Sequence, residues 1–428
     1  LNIFTTLDRR QRRNLGVLFT AGLLFWSSLA SLLPVLPLYL RDLGGSEQQI
    51  GLVMGAFAVG VLLCRAWVGR LADQRSRKLA LLLGLLAATI APLCYIVVKT
   101  MPLMGLSRAL HGISIAAFTT GYSALVVDLS PERNRGELIG YMSLVNPLGM
   151  AIGPALGGFL EAWTGYTPLF LLSAGLGLVG LVCTWQVEEQ PLAPSIALDS
   201  AATSSKQFWR LLTSPRVRIP ALVMLMVGLV FGALSTYVPL FIEQEQVSLN
   251  AGLFYTAIAI GSFVVRFITG RASDRHGRGL FISLSLVCYA LSMLLLSLAN
   301  SAEAFLIAGT VEGLGAGILL PTMSALVADR ASPLERARLF SLCIGGFDLG
   351  IALAGPLLGT VAAQASFRAM FALAATLAGA ALLIFMTQAG KDLRHSLRFA
   401  LGRGQDVYAY QAPEPELVLG QSQPLSRH

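Results

Sequence analysis

Charge is in short supply in this chain. Asp, Glu, Lys and Arg make up 13% of the 428 residues, against 55% hydrophobic ones, and soluble domains carry about 25% charged residues. No water-soluble interior hides that much apolar surface, so a soluble fold is excluded. Cysteine is sparse too: Cys64, Cys94, Cys183, Cys288 and Cys343 all fall in apolar runs without metal-like spacing. They read as small buried side chains. There is no nucleophile elbow, HExxH pair or phosphate-cradling glycine loop, and the polar ends are too short for an output domain. A membrane enzyme or a sensor therefore has no support. No cofactor or metal is expected. Nothing ahead of the first apolar run resembles a cleavable signal peptide, because that run is itself long enough to span a bilayer.

Apolar runs are what the chain has in quantity. Twelve of spanning length lie near residues 15–40, 49–71, 79–98, 103–128, 138–162, 166–187, 216–242, 250–271, 280–299, 303–328, 338–363 and 367–388. The net charge of +8 raises the question of nucleic acid, but its distribution answers with a membrane. Of 31 Lys and Arg, three fall in one set of connections (Arg41, Lys99, Arg368) and three inside spans; the rest crowd the other connections and both tails. That asymmetry places both termini in the cytoplasm.

The spans repeat. GRLADQRSRK at 69–78 returns as GRASDRHGRG at 270–279, each preceded by an arginine, Arg65 and Arg266, 201 positions apart. Gly112 and Gly313, Asp128 and Asp329, and Ser123–Val126 and Ser324–Val327 keep the same offset, and Gly153-Pro154 returns at Gly355-Pro356. Two copies with the same direction and an even number of crossings form a parallel repeat about an axis along the membrane normal. The organisation expected is a basic tail (1–14), a six-helix bundle (15–187), a polar cytoplasmic linker (188–214) with a short interfacial helix around Trp209, Leu211 and Leu212, a second bundle (215–388) and a polar tail (389–428), disordered beyond Arg403.

Chemistry concentrates at a few positions. The first span has no charge, but its Trp26, Ser27, Ser28, Ser31, Pro34 and Pro37 suit a kinked, mobile wall. In the fourth span Arg108 and His111 share one face, about 9 and 14 Å deep at 1.5 Å per residue. Glu312 is the repeat counterpart of His111 and Asp348 that of Asn146. Buried ionisable groups in a membrane face a cavity or a partner, so Glu312 is expected within reach of Arg108 or His111. Either it forms a static pair with Arg108, or Glu312 or Asp348 takes up a proton with Arg108 and His111 tuning its affinity, which makes these four the proton-coupling group. Gly149, Gly153 and Gly157 make a small-residue stripe, with Pro154 bending it. In the first charged turn, Asp73 is expected at the start of the third helix.

At these motifs the chain resembles the major facilitator superfamily, in particular its twelve-helix drug:proton antiporter-like branch, over residues 15–388. The family's turn pattern is matched by Gly69, Asp73, Arg77 and Lys78, with Gln74 and Ser76 departing from it, and again by Gly270, Asp274, Arg275, Gly277 and Arg278. With Arg65 and Arg266, these residues are implied to latch the halves on the cytoplasmic side when the protein is outward-facing, with the acid near the start of helix 11. The fourth-helix motif is matched by Arg108 and Gly112, with His111 in place of Gln. The fifth-helix exporter motif is matched by Gly149, Gly153, Pro154, Gly157 and Gly158. Many drug antiporters carry an acid in helix 1, which this chain lacks. The resemblance implies an all-α fold of two pseudo-symmetric bundles, alternating access, and a cavity lined by helices 1, 4, 7 and 10. The residues it suggests for the cavity are Phe25, Trp26, Ser31, Phe118, Tyr122, Asn146, Phe231 and Tyr237. It implies efflux of an amphipathic organic molecule driven by the proton gradient, with symport of a sugar or organic acid and lipid flipping as alternatives, by a monomer in a bacterial inner membrane.

Overall fold

The computed structural model describes residues 7–131, 135–189, 210–211, 213–332 and 335–410; the side chains of residues 267, 268, 270, 271, 274 and 337 are outside that description. Trp209 and Leu212 thus lie outside the described residues, and of Gly270 and Asp274 only the helical backbone is described. The first half contains α1 (Arg9–Ser31), α2 (Leu36–Asp42), α3 (Glu47–Gln74), α4 (Arg77–Val97), α5 (Met101–Leu129), α6 (Arg135–Ser143), α7 (Val145–Thr164) and α8 (Tyr166–Trp185). The second contains α9 (Pro215–Gln244), α10 (Ala251–His276), α11 (Arg278–Leu298), α12 (Ala302–Arg330), α13 (Arg336–Gln364) and α14 (Phe367–Gln388), followed by a short α15 (Leu393–Ala400). Among the described residues eleven segments are long and apolar enough to cross a membrane, and Ala251–Arg266 adds a shorter apolar stretch. Leu63, Val97, Trp163 and Leu383 are among the large apolar side chains left exposed, as a lipid-facing surface requires.

The halves are built alike. In the first, α3 packs on α5, α4 on α5, α1 on α7, and α8 on α4 and α1; in the second, α10 packs on α12, α11 on α12, α9 on α13, and α14 on α11 and α9. Between halves, α3 lies on α13 and α7 on α10, two contacts that the repeat interchanges. The charged turns are duplicated in structure as well, since Arg77 pairs with Asp128 and Arg278 with Asp329.

Several boundaries differ from the sequence expectation. The first span is broken, not merely kinked: α1 stops at Ser31 and α2 restarts at Leu36, because Pro34 and Pro37 cannot donate to the ladder. The basic tail is helical from Arg9, capped by Asp8, and its Arg10 and Arg13 pair with Glu188. Order continues beyond Arg403 as far as Tyr410, and residues 411–428 of the tail lie outside the described residues. Asp406 pairs at 2.7 Å with Arg330, which is fully buried and also donates to Ala389 O, and the Tyr410 amide donates to Asp329 O. Asp73 is exposed, and the acid over the start of α4 is Glu189, which accepts from Ser76 Oγ and the amides of Arg77 and Lys78. A carboxylate at that helix N-terminus satisfies its free amides.

Candidate functional site

The two halves meet most tightly toward the arginine-poor face. A Cβ on Gly51 of α3 would lie 2.6 Å from Gly355 Cα of α13, and one on Gly55 2.8 Å from Ala352 O, so the backbones touch. Tyr237 donates to Glu47 O across this contact, Gln48 to Thr360, Thr256 to Ala151 O, and Arg41 pairs with Glu243 at 2.8 Å. On the arginine-rich side of this seal lies a cavity of about 340 Å³ between the halves. Its walls follow the seal by one to three turns: Arg65 and Val61 of α3, Asn146 and Met150 of α7, Phe231 of α9, Ser262 and Arg266 of α10, and Asp348 and Ile351 of α13.

Of the proton-coupling group, Arg108, Glu312 and Asp348 line this cavity and His111 does not. Glu312 has no solvent exposure, and neither carboxylate oxygen has a hydrogen-bond partner. No ion pair joins it to Arg108 among the described residues, so the static pair is not formed. Tyr255 and Tyr289 stand around it in the wall. Arg108 stacks on the Phe57 ring, 4.5 Å from its centroid, and its Nη1 lies 3.3 Å from His111 Nδ1. Guanidinium only donates, so His111 accepts at Nδ1, where the Tyr95 hydroxyl also sits at 3.0 Å. The imidazole proton is thereby assigned to Nε2, which has no partner. Asp348 accepts from Arg65 at 2.7 Å, bridging α13 and α3.

Of the aromatic and polar residues expected at the cavity, Trp26, Asn146 and Phe231 line it. Phe25, Phe118 and Tyr122 do not. They stack in the interior of the first half, Phe25 on Phe118 at 3.8 Å and Phe118 on Tyr122 at 5.1 Å, with the Tyr122 hydroxyl on Met142 O. Ser31 turns its hydroxyl back to Ser28 O, and Tyr237 belongs to the seal. The exporter-motif glycines divide: Gly149, Gly153 and Gly157 lie against Trp26, Ser27 and Ser31 of α1 in their own half, whereas Gly158 faces Asn250 and Pro154 O faces Gly252 of the other. Among the latch residues, Arg65 crosses between halves. Arg77, Lys78 and Arg278 bond within their own half, Asp73 and Arg275 are exposed, and Gly69 has open space beside it. Phe57, Tyr255, Tyr289 and the Arg65–Asp348 bridge escaped the sequence reading; only Arg65 and Asp348, as charges inside spans, carried a signal there.

A family model described as Major Facilitator Superfamily matches residues 18–278 and 248–404. The chain belongs to the Major Facilitator Superfamily. It is a multi-pass member of a family of secondary transporters of small molecules, not of enzymes. The quinolone resistance protein NorA of Staphylococcus aureus is 29% identical over 170 residues, 40% of this chain, and the chain spans 44% of that protein's length. The staphylopine export protein of Staphylococcus aureus (strain Mu50 / ATCC 700699) is 26% identical over 368 residues, 83% of this chain and 90% of that one. In fold, the nucleoside transporter NupG superposes with a TM-score of 0.73 at 16% identity, covering 89% of this chain and 98% of its own. The human organic anion transporter MFSD10 gives 0.65 at 22%, covering 88% and 100%.

Proposed function

We propose that this superfamily member exports a small amphipathic organic molecule at the expense of the proton gradient, with the two halves rocking about the cavity to open it to either face. The observation that carries the coupling is Glu312, a carboxyl fully buried beside a cavity with neither oxygen partnered. An ionised carboxylate is expensive there, and a proton or a compensating charge relieves the cost. Glu312 is thus the proton-carrying group. Asp348, held by Arg65 across the halves, is the group whose charge bears on their separation. Arg108, steadied by Phe57 and His111, is a cation of the same lining.

Export is supported by the fifth-helix motif and by the two bacterial relatives, whose names record quinolone resistance and staphylopine export. The arginine asymmetry supports a bacterial inner-membrane orientation with both termini cytoplasmic, so that the sealed face is external and the cavity belongs to an inward-facing form. A monomer holds the whole cavity.

The test uses inside-out vesicles carrying a proton gradient, challenged with amphipathic organic compounds while lumenal pH is followed. A transported compound collapses the gradient in wild type and leaves it intact in Glu312→Gln. Retention of pH-driven transport by that variant removes Glu312 from the coupling.

A further inference from the structure

The charges facing the cavity are unequal, and the repeat shows why. Arg65 of α3 and Arg266 of α10 are repeat counterparts, as are Asp348 of α13 and Asn146 of α7. The operation that interchanges the halves therefore maps the Arg65–Asp348 bridge onto Arg266 and Asn146. The helices obey it, since α7 packs on α10 as α13 packs on α3. The side chains do not complete it: an Asn amide brings no charge. Arg266 reaches the cavity wall with its Nε sheltered from solvent and without a hydrogen-bond partner among the described residues.

The inventory is short. Arg65 is neutralised by Asp348, which leaves Arg108 and Arg266 as cations and Glu312 as the one remaining acid in the lining. Tyr255 and Tyr289 add neutral phenols, and His111 sits behind Arg108 as an acceptor. The remaining wall is largely apolar, with Trp26, Phe57, Phe231 and Phe347 presenting rings. A guanidinium with an unused, sheltered donor on a largely apolar wall is a receptor for a planar or tetrahedral oxyanion.

We propose that the transported molecule carries an anionic group, a carboxylate, sulfonate or phosphate, which Arg266 receives with the Asn146 amide beside it, while an aromatic or aliphatic body lies against the rings. This rests on the transport reading of the same cavity and gives its substrate class. With Glu312 ionised, one monovalent anion brings the cavity to neutrality, the state in which apolar walls close around it at least cost.

The experiment titrates the full chain in lipid nanodiscs with three probes of one shape: 2-naphthoate, 2-naphthamide and 2-naphthylmethylammonium. Wild type is expected to bind the naphthoate at least about tenfold more tightly than the amide, about 1.4 kcal/mol, and the ammonium least. Arg266→Gln removes the receptor. Asn146→Asp supplies the acid the repeat lacks and neutralises Arg266 from within. Both are expected to bring the naphthoate-to-amide ratio close to one while amide binding, which reports an intact fold, persists. Arg266→Lys is expected to keep most of the preference. The inference is overturned if wild type shows no preference for the anion, binds none of the probes, or keeps the same ratio in both charge-altering variants. Vesicle flux of the same probes separates this from the transport reading. Naphthoate bound but never moved leaves the anion site standing and removes transport, whereas movement indifferent to charge keeps transport and removes the anion site.

Discussion

The two halves carry the same skeleton and different charges at its centre. Arg77–Asp128 and Arg278–Asp329 are one ion pair written twice, and each half is clasped by the segment that follows its last spanning helix. Glu188 and Glu189 reach back to Arg10, Arg13 and the start of α4 in the first, and Asp406 reaches Arg330 in the second. At and just behind the cavity wall the correspondence stops: His111, buried behind Arg108, answers Glu312 of the lining, and Asn146 answers Asp348. Duplication supplies a frame whose helices pack in matching ways, and among the charged positions inside the spans the copies differ at the space between them. Symmetry marks what holds the protein up, and its loss marks where chemistry is to be sought.

The heaviest way to break this correspondence is at the seal. Gly51 and Gly355 bring α3 and α13 into backbone contact, so Gly355→Leu has no room while the arginine-poor face is closed. Overpacking costs about 1–3 kcal/mol where neighbours can yield, and here the neighbour is main chain. The variant is expected to hold that face open, read as a longer distance between spin labels at Trp163 and Leu298, which lie exposed at the ends of spans on opposite halves. An unchanged distance would mean that the glycines do not set closure.

Next in size are the clasps. Arg330 is fully buried and Asp406 nearly so, whereas Arg77 and Asp128 are 25% and 32% exposed in their side chains. Removing Asp406 leaves a buried guanidinium without its carboxylate, a loss of about 3–5 kcal/mol; removing Asp128 from its part-exposed pair costs about 1 kcal/mol or less. In thermal melts of the purified protein, Asp406→Ala is expected to lower Tm several times further than Asp128→Ala. Equal shifts would show that the tail is not part of the folded second half.

Much of this frame was legible in the sequence, because repeats, span lengths and arginine asymmetry are properties of order and composition. The buried charges were legible too, since Arg108, Glu312 and Asp348 stand out in apolar runs. What escaped was direction. A spanning helix is apolar on its lipid face and on its packed face alike, so nothing in the spacing of Phe25, Phe118 or Tyr122 tells the interior of a bundle from the wall of a cavity. Partners distant in sequence escaped as well: Asp73 stands beside α4 in the chain, yet Glu189 arrives from the far end of the half to cap it. Asp406 completes Arg330 from a tail whose prolines and polar residues suggested disorder.

The smallest expected effect bears on what closes the arginine-poor face. Arg41 and Glu243 are repeat counterparts of one another, 202 positions apart, so their bridge joins a position to its own image across the pseudo-two-fold axis. Their side chains are 38% and 51% exposed, and exposed pairs contribute about 0.2–1 kcal/mol. Arg41→Gln and Glu243→Gln are each expected to change the closed-to-open ratio by about fivefold or less, on the same spin-label distance that Gly355→Leu alters grossly. The asymmetry follows from the materials of the seal: backbone contact between glycines admits no gradual loosening, while an ion pair in water exchanges one set of hydrogen bonds for another. Should the charge variants open the face as far as the glycine variant does, the seal is electrostatic, and closure would weaken with ionic strength. If they barely move it, the glycines hold the face shut, and Arg41 with Glu243 only sets the register in which the halves meet.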